Sequence, residues 1–159
     1  MRHSFASSAR LLPIKFFLIV IQVLLIVIAL LERENHIYFE VGQNYSESSD
    51  EYKQAETTFL GVSYTMIGLC FFEFIMMILG TSVPPIFAKY NLLQIILHLL
   101  GNLFTLWFIL DSWRYTLVWP IFFCFAMLPF LVEMTIIQQA IRLNKDIKNT
   151  RNDQIKIAR

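Results

Sequence analysis

Glu73, Glu133 and His98 are titratable side chains set inside long apolar runs, and Gln22, Gln94 and Asn102 are amides in the same position. Two carboxylates and an imidazole in an apolar medium are the parts of a proton or cation relay. The same groups also suit interhelical hydrogen bonds, worth about 0.6 kcal/mol each on average in a membrane bundle. A charge at the centre of a bilayer costs at least about 2.5–3.5 kcal/mol, so such residues turn toward the bundle interior. Gln94, His98 and Asn102 are spaced four apart and share one helical face. We expect Glu73, His98, Asn102, Glu133 and Gln22 to meet in one buried polar cluster. The packing role is preferred over the relay. Four short spans leave little room for alternating access, and the sequence carries neither an inverted repeat nor a pair of broken helices.

No catalytic signature accompanies these groups. The chain has no H-E-x-x-H, no G-x-S-x-G and no phosphate-binding loop of the Walker type. We therefore expect no enzyme, no cofactor and no small-molecule substrate. His36 reads as an exposed loop residue near Glu32, Glu34 and Glu40, whose spacing is not that of a calcium loop, so no metal site is expected. Cys70 and Cys124 lie inside apolar runs and read as membrane-embedded thiols rather than a disulfide or a zinc site.

The elements that hold these residues follow from composition. Of the 159 residues, 57% are apolar and only 16% are charged, against about 25% charged in a soluble domain. With 15 Phe and a mean hydropathy of +0.57, the chain is better solvated by lipid than by water. A spanning helix needs about 20 mostly apolar residues, and four stretches qualify: 12–31, 59–79, 92–110 and 116–140. Barrel strands would be about 10 residues long with alternating polarity, which these runs lack. The sequence therefore predicts an all-α, four-helix transmembrane bundle in a single integral membrane domain. The first run is too long for a signal peptide and no small-residue cleavage site follows it. Pro13 suits a first helical turn. Pro129 removes a backbone bond to the carbonyl of Phe125 and should bend the fourth span so that Glu133 points inward. Gly61, Thr65 and Gly68 share a face that would admit a close neighbour, within the bundle or from another chain.

Charge sets the orientation. The segment 32–58 has seven carboxylates against Arg33 and Lys53, while the tail 142–159 has six bases and two acids. Arg2, Arg10 and Lys15 add bases at the other terminus with no acid. The positive-inside rule places both termini in the cytoplasm and the acidic segment 32–58 outside as a loop. Asn44-Tyr45-Ser46 is a glycosylation sequon in that loop. Trp113, Tyr115 and Trp119 suit the outer headgroup level and Tyr90 the inner one. The basic tail suits electrostatic contact with an anionic leaflet or a cytoplasmic partner.

With the spans placed, the stretches LLPIKFFLIVIQVLLIV, DEYKQAE, GLCFFEFIMMILG and WPIFFCFAMLPFLVEM resemble the transmembrane protein 107 family. Leu128-Pro129 followed by Glu133-Met134 is the most specific element. Glu51, Tyr52, Glu73, Trp113, Pro129, Glu133 and Met134 fall on pattern positions. The resemblance implies a four-span protein of the ciliary transition zone. Its partners would be other membrane proteins of the Meckel-syndrome module, and its role that of a scaffold in cilium assembly and in the gate for membrane-protein entry, without catalysis. This chain departs from the family in a longer basic tail and a longer, more acidic first loop.

Overall fold

The computed structural model describes residues 2–41, 49–79 and 88–157. Helix α1 (Arg2–Leu31) is followed by a short α2 (Arg33–Val41), then by α3 (Asp50–Ile78) and α4 (Ala88–Leu110). The last span is built in sections: a 3-10 turn at Tyr115–Leu117, α5 (Val118–Phe122), a π-helical turn at Phe123–Met127, and α6 (Leu128–Ile157). Among the described residues, four helical stretches are long and apolar enough to cross a membrane. Among acyl chains a backbone can satisfy its own polar groups locally only as helix. Phe17, Leu24, Phe71, Leu103 and Trp107 point outward from these helices. That would be a liability in water and is the expected surface in lipid.

Side-chain pairs fix the helix directions. Lys15 midway along α1 meets Gln94 near the start of α4, and Gln22 further along α1 meets His98, so α1 and α4 run parallel. Phe16 packs on Phe74 of α3, with ring centroids 5.5 Å apart. Gln94 meets Glu133, and Phe104 stacks on Phe125. Helices α3 and α6 therefore run against α1 and α4.

The described residues of the acidic segment after the first span are largely helical. Helix α2 folds back on the bundle, placing Ile37 against Tyr52 and Ala55 in a small buried cluster. Arg33 bonds Glu56 at 2.9 Å, and Glu40 accepts from the Thr116 hydroxyl at 3.1 Å. Helix α3 begins ahead of the apolar run 59–79: Ser49 caps it by accepting the Tyr52 N–H, and Asp50 and Glu51 in the first turn complement the helix dipole. Asn44 and the Pro84-Pro85 pair lie outside the described residues. Pro13 is not in a first turn, because α1 begins at Arg2 and carries it in the interior. At the other terminus α6 continues to Ile157, so most of the basic tail is helix, with Arg142, Lys145 and Lys148 exposed.

The turn after α4 is a Schellman motif. Ser112 takes φ 48°. Its N–H reaches the Ile109 carbonyl at 3.3 Å, and the Trp113 N–H reaches Phe108 at 3.2 Å. The indoles of Trp107 and Trp113 then meet at 5.2 Å, the apolar contact that accompanies this cap. The turn reverses the chain in five residues and aims the Trp113 carbonyl back into the bundle.

Candidate functional site

The inner face of α4 is polar along most of its length. Asn91, Gln94, His98, Asn102 and Thr105 are all buried, while Leu92, Leu93, Ile96, Leu99 and Leu103 face outward. This inverts the pattern of a soluble helix, and the reason is the solvent. Lipid gives apolar side chains no reason to prefer the interior, so packing and hydrogen bonds hold the helices together. Two groups of side chains converge on this stripe.

The deeper group is Gln22, Glu73 and His98. Gln22 Nε2 donates to the Phe125 carbonyl at 3.2 Å, which leaves Gln22 Oε1 to face His98 Nδ1 at 2.7 Å. An amide oxygen only accepts, so His98 Nδ1 carries a hydrogen. His98 Nε2 lies 2.9 Å from Glu73 Oε2. That contact holds one further proton, on the imidazole or on the carboxyl, and in either place the pair has no net charge. Glu73 Oε1 is buried without a partner. Asn102 is close by but separate: its amide donates to the Leu18 carbonyl at 3.1 Å.

One turn nearer the start of α4 lies the second group. Lys15 Nζ meets Glu133 Oε2 at 2.9 Å and Gln94 Oε1 at 2.8 Å. Gln94 Nε2 bonds Glu133 Oε2 at 2.9 Å and the Pro129 carbonyl at 3.1 Å. Both charges are fully buried. This ion pair ties the first span to the last, and Gln94 on the third bridges the two.

The single cluster expected from the sequence is thus two neutral groups stacked along α4. Glu73, His98 and Gln22 come together, while Glu133 belongs to the other group. The sequence groups Lys15 with Arg2 and Arg10 as bases of the N-terminal segment; the structure makes it the buried partner of Glu133. A signal for this was present, since Lys15, Ile19, Gln22 and Ile26 follow helical spacing and are all buried. Gln94 was placed on the right face without a role, and it is the hub of the second group.

Pro129 explains the rest of the geometry. It has no N–H, so the Phe125 carbonyl loses its usual partner one turn on. The helix widens into the π turn at Phe123–Met127, and Gln22 of α1 supplies the missing donor. Close approach of α4 to this turn requires Gly101. A Cβ there would lie 2.8 Å from Phe125 Cβ and 3.1 Å from Gln22 Nε2. Gly61 and Gly68, by contrast, would meet nothing within 4 Å, so their stripe with Thr65 faces out of the bundle.

Other residues singled out from sequence have plainer places. Tyr52 is buried against Tyr38 of α2, Glu51 is exposed in the first turn of α3, and Met134 is half-buried beside Glu133. Trp113 contributes its carbonyl to His36. His36 itself is not an exposed loop residue: it sits on α2, wholly buried, because its ring packs on Phe108 and Phe59, which also contact each other. Among the described residues no group of His, Cys, Asp and Glu is placed to hold a metal ion. Cys70 is buried and Cys124 exposed, and neither is in a disulfide.

Among the described residues, a helical bundle of four spans, sealed by the Lys15–Glu133 ion pair, the His98–Glu73 contact and buried amides, defines a polytopic integral membrane protein. The family model of TMEM107, described as a transmembrane protein, matches residues 11–137, and the chain belongs to that family. No curated protein and no solved structure matches it.

Proposed function

We propose that the protein is a non-enzymatic membrane scaffold of the ciliary transition zone, recruiting and retaining other membrane proteins and supporting cilium assembly and the ciliary gate. Its partners would be transition-zone membrane proteins of the Meckel-syndrome module. Family membership over residues 11–137 carries this reading. The resemblance set out above supplies the ciliary setting. The closed polar file supports it as well: Lys15, Glu73, His98 and Glu133 are spent on partners within the bundle and have no exposed surface. Groups used in this way fix helix order and register, which suits a protein that must present a constant lateral surface. That surface includes the outward stripe of Gly61, Thr65 and Gly68. In the same reading both termini are cytoplasmic, because exposed bases of the α6 extension cluster at one end and the carboxylates of 32–58 at the other. The polar groups act in packing, and glycosylation at Asn44 would mark the outer side.

A tagged chain expressed in ciliated cells should concentrate at the ciliary base and co-purify with transition-zone membrane proteins. Uniform plasma-membrane staining would refute the assignment. A second reading, a small proton- or cation-conducting channel, draws on one specific observation: Glu73 Oε1, Asn102 Oδ1 and Thr105 Oγ1 are buried along α4 without partners. Proton flux into liposomes that disappears in Glu73→Gln and Glu133→Gln variants would establish that reading and displace the first.

A further inference from the structure

Among residues 33–40 of α2, the fully buried polar side chain is a histidine. His36 has no exposed surface. Its Nδ1 lies 2.9 Å from the Trp113 carbonyl, so that nitrogen carries the hydrogen. The ring stacks on Phe108 with centroids 4.2 Å apart and an interplanar angle of 20°, and Phe59 covers it from 6.0 Å. Nε2 is therefore a lone pair buried among phenyl rings, and it has no partner. Through this one side chain α2 is tied both to the Schellman turn after α4 and to the aromatic floor beneath it.

We propose that His36 is an acid-operated latch: neutral, it docks α2 on the outer end of the bundle, and protonation at Nε2 releases α2 while the spans stay packed. A second N–H on the ring would meet no acceptor, and its charge would be buried among Phe59 and Phe108. The face of Phe108 offers some cation–π compensation. Burial nonetheless dominates and holds the imidazole below its ordinary value of 6.5, outweighing the Trp113 carbonyl and the charge of Glu32, which both pull upward.

The other charged groups around this end are engaged elsewhere or lie in the wrong range. On the α2 side Arg33 is bonded to Glu56 of α3, and Glu40 to Thr116. Glu34 on α2 is exposed. On the hairpin Asp111 accepts from the Trp107 indole, and Arg114 is exposed. The remaining groups here are phenols and carboxylates, side-chain types whose ordinary values are about 10 and about 4. Between these limits a histidine is the side chain left to respond. A base whose value is lowered on docking binds fewer protons docked than released. The latch is therefore fully closed above pH 6.5 and weakens as pH falls through that value, by about tenfold per unit until the docked imidazole itself titrates.

The test uses the full-length protein in lipid nanodiscs, with amide hydrogen exchange corrected for intrinsic rates at pH 7.5 and 5.5. Amides of α2 should lose protection at pH 5.5, by up to about tenfold, while those of α3 and α4 within the membrane keep theirs. In His36→Gln, whose amide can still donate to Trp113 but does not titrate, α2 should show no acid response. A histidine ring titration followed by NMR on the unsubstituted chain should place the His36 midpoint below 6.5, and this holds even if the variant fails to fold. Unchanged α2 protection in acid, an acid response retained by His36→Gln, or a midpoint at or above 6.5 would each overturn the proposal.

Discussion

Removing Lys15 should cost more stability than any other single truncation in the bundle, and removing Glu133 with it should return much of that loss. In Lys15→Met the stem volume stays and the ammonium goes, leaving the Glu133 carboxylate in the interior with Gln94 Nε2 at 2.9 Å. Breaking one side of a buried ion pair costs about 3–5 kcal/mol. An independent bound comes from neutralising the orphaned carboxylate. Taking a proton at pH 7 against an ordinary carboxylate value of about 4.3 costs about 3.7 kcal/mol, at 1.36 kcal/mol per unit. The two figures agree because protonation is the cheapest escape from an unpaired buried charge. In Lys15→Met/Glu133→Leu no charge remains, and the residual loss is that of the Gln94 amide, whose Oε1 and one N–H lose their partners while the bond to the Pro129 carbonyl stays, at about 1–3 kcal/mol. Unfolding of the reconstituted protein in mixed micelles, followed by tryptophan fluorescence, gives the four free energies of the cycle. A coupling of at least about 2 kcal/mol between the sites is expected. If each single variant loses less than about 1 kcal/mol and the losses add, then Lys15 reaches water in the folded protein and the argument for a sealed ion pair fails.

The two kinds of glycine should separate cleanly. Gly101→Ala forces a Cβ to 2.8 Å from Phe125 Cβ, which the π turn holds in place, and should destabilise by about 1–3 kcal/mol in the same assay. Gly68→Ala meets nothing and should leave the isolated protein unchanged or up to about 1 kcal/mol more stable; a loss as large as that of Gly101→Ala would show that α3 is packed differently. Ser112→Gly relieves the left-handed backbone at the Schellman turn and should raise the melting temperature, by a stabilisation of about 0.5–1 kcal/mol, with no change in helix content by circular dichroism. Arg33→Ala removes an ion pair that is about one-third exposed on both sides, and a loss above about 1 kcal/mol would show that α2 is held by charge rather than by His36 and Ile37.

The sequence alone determined that this chain is a four-span helical bundle, because the length of an apolar run and the need to satisfy every backbone group in lipid leave one solution. It also determined which face of α4 turns inward: Gln94, His98 and Asn102 recur at helical spacing in a medium that penalises them anywhere else. What it left open was partnership. Lys15 lies 118 positions from Glu133 and His36 lies 77 from Trp113, and no local pattern links residues so far apart. Only the packing of parallel α1 on α4, with α6 running against them, decided that a lysine grouped with the free basic residues is instead half of a sealed pair. The docking of α2 on α3, α4 and the turn after α4 buries His36, which the sequence reads as a loop residue. Periodicity reports which way a side chain faces; what it meets there depends on which helix arrives, and at what height.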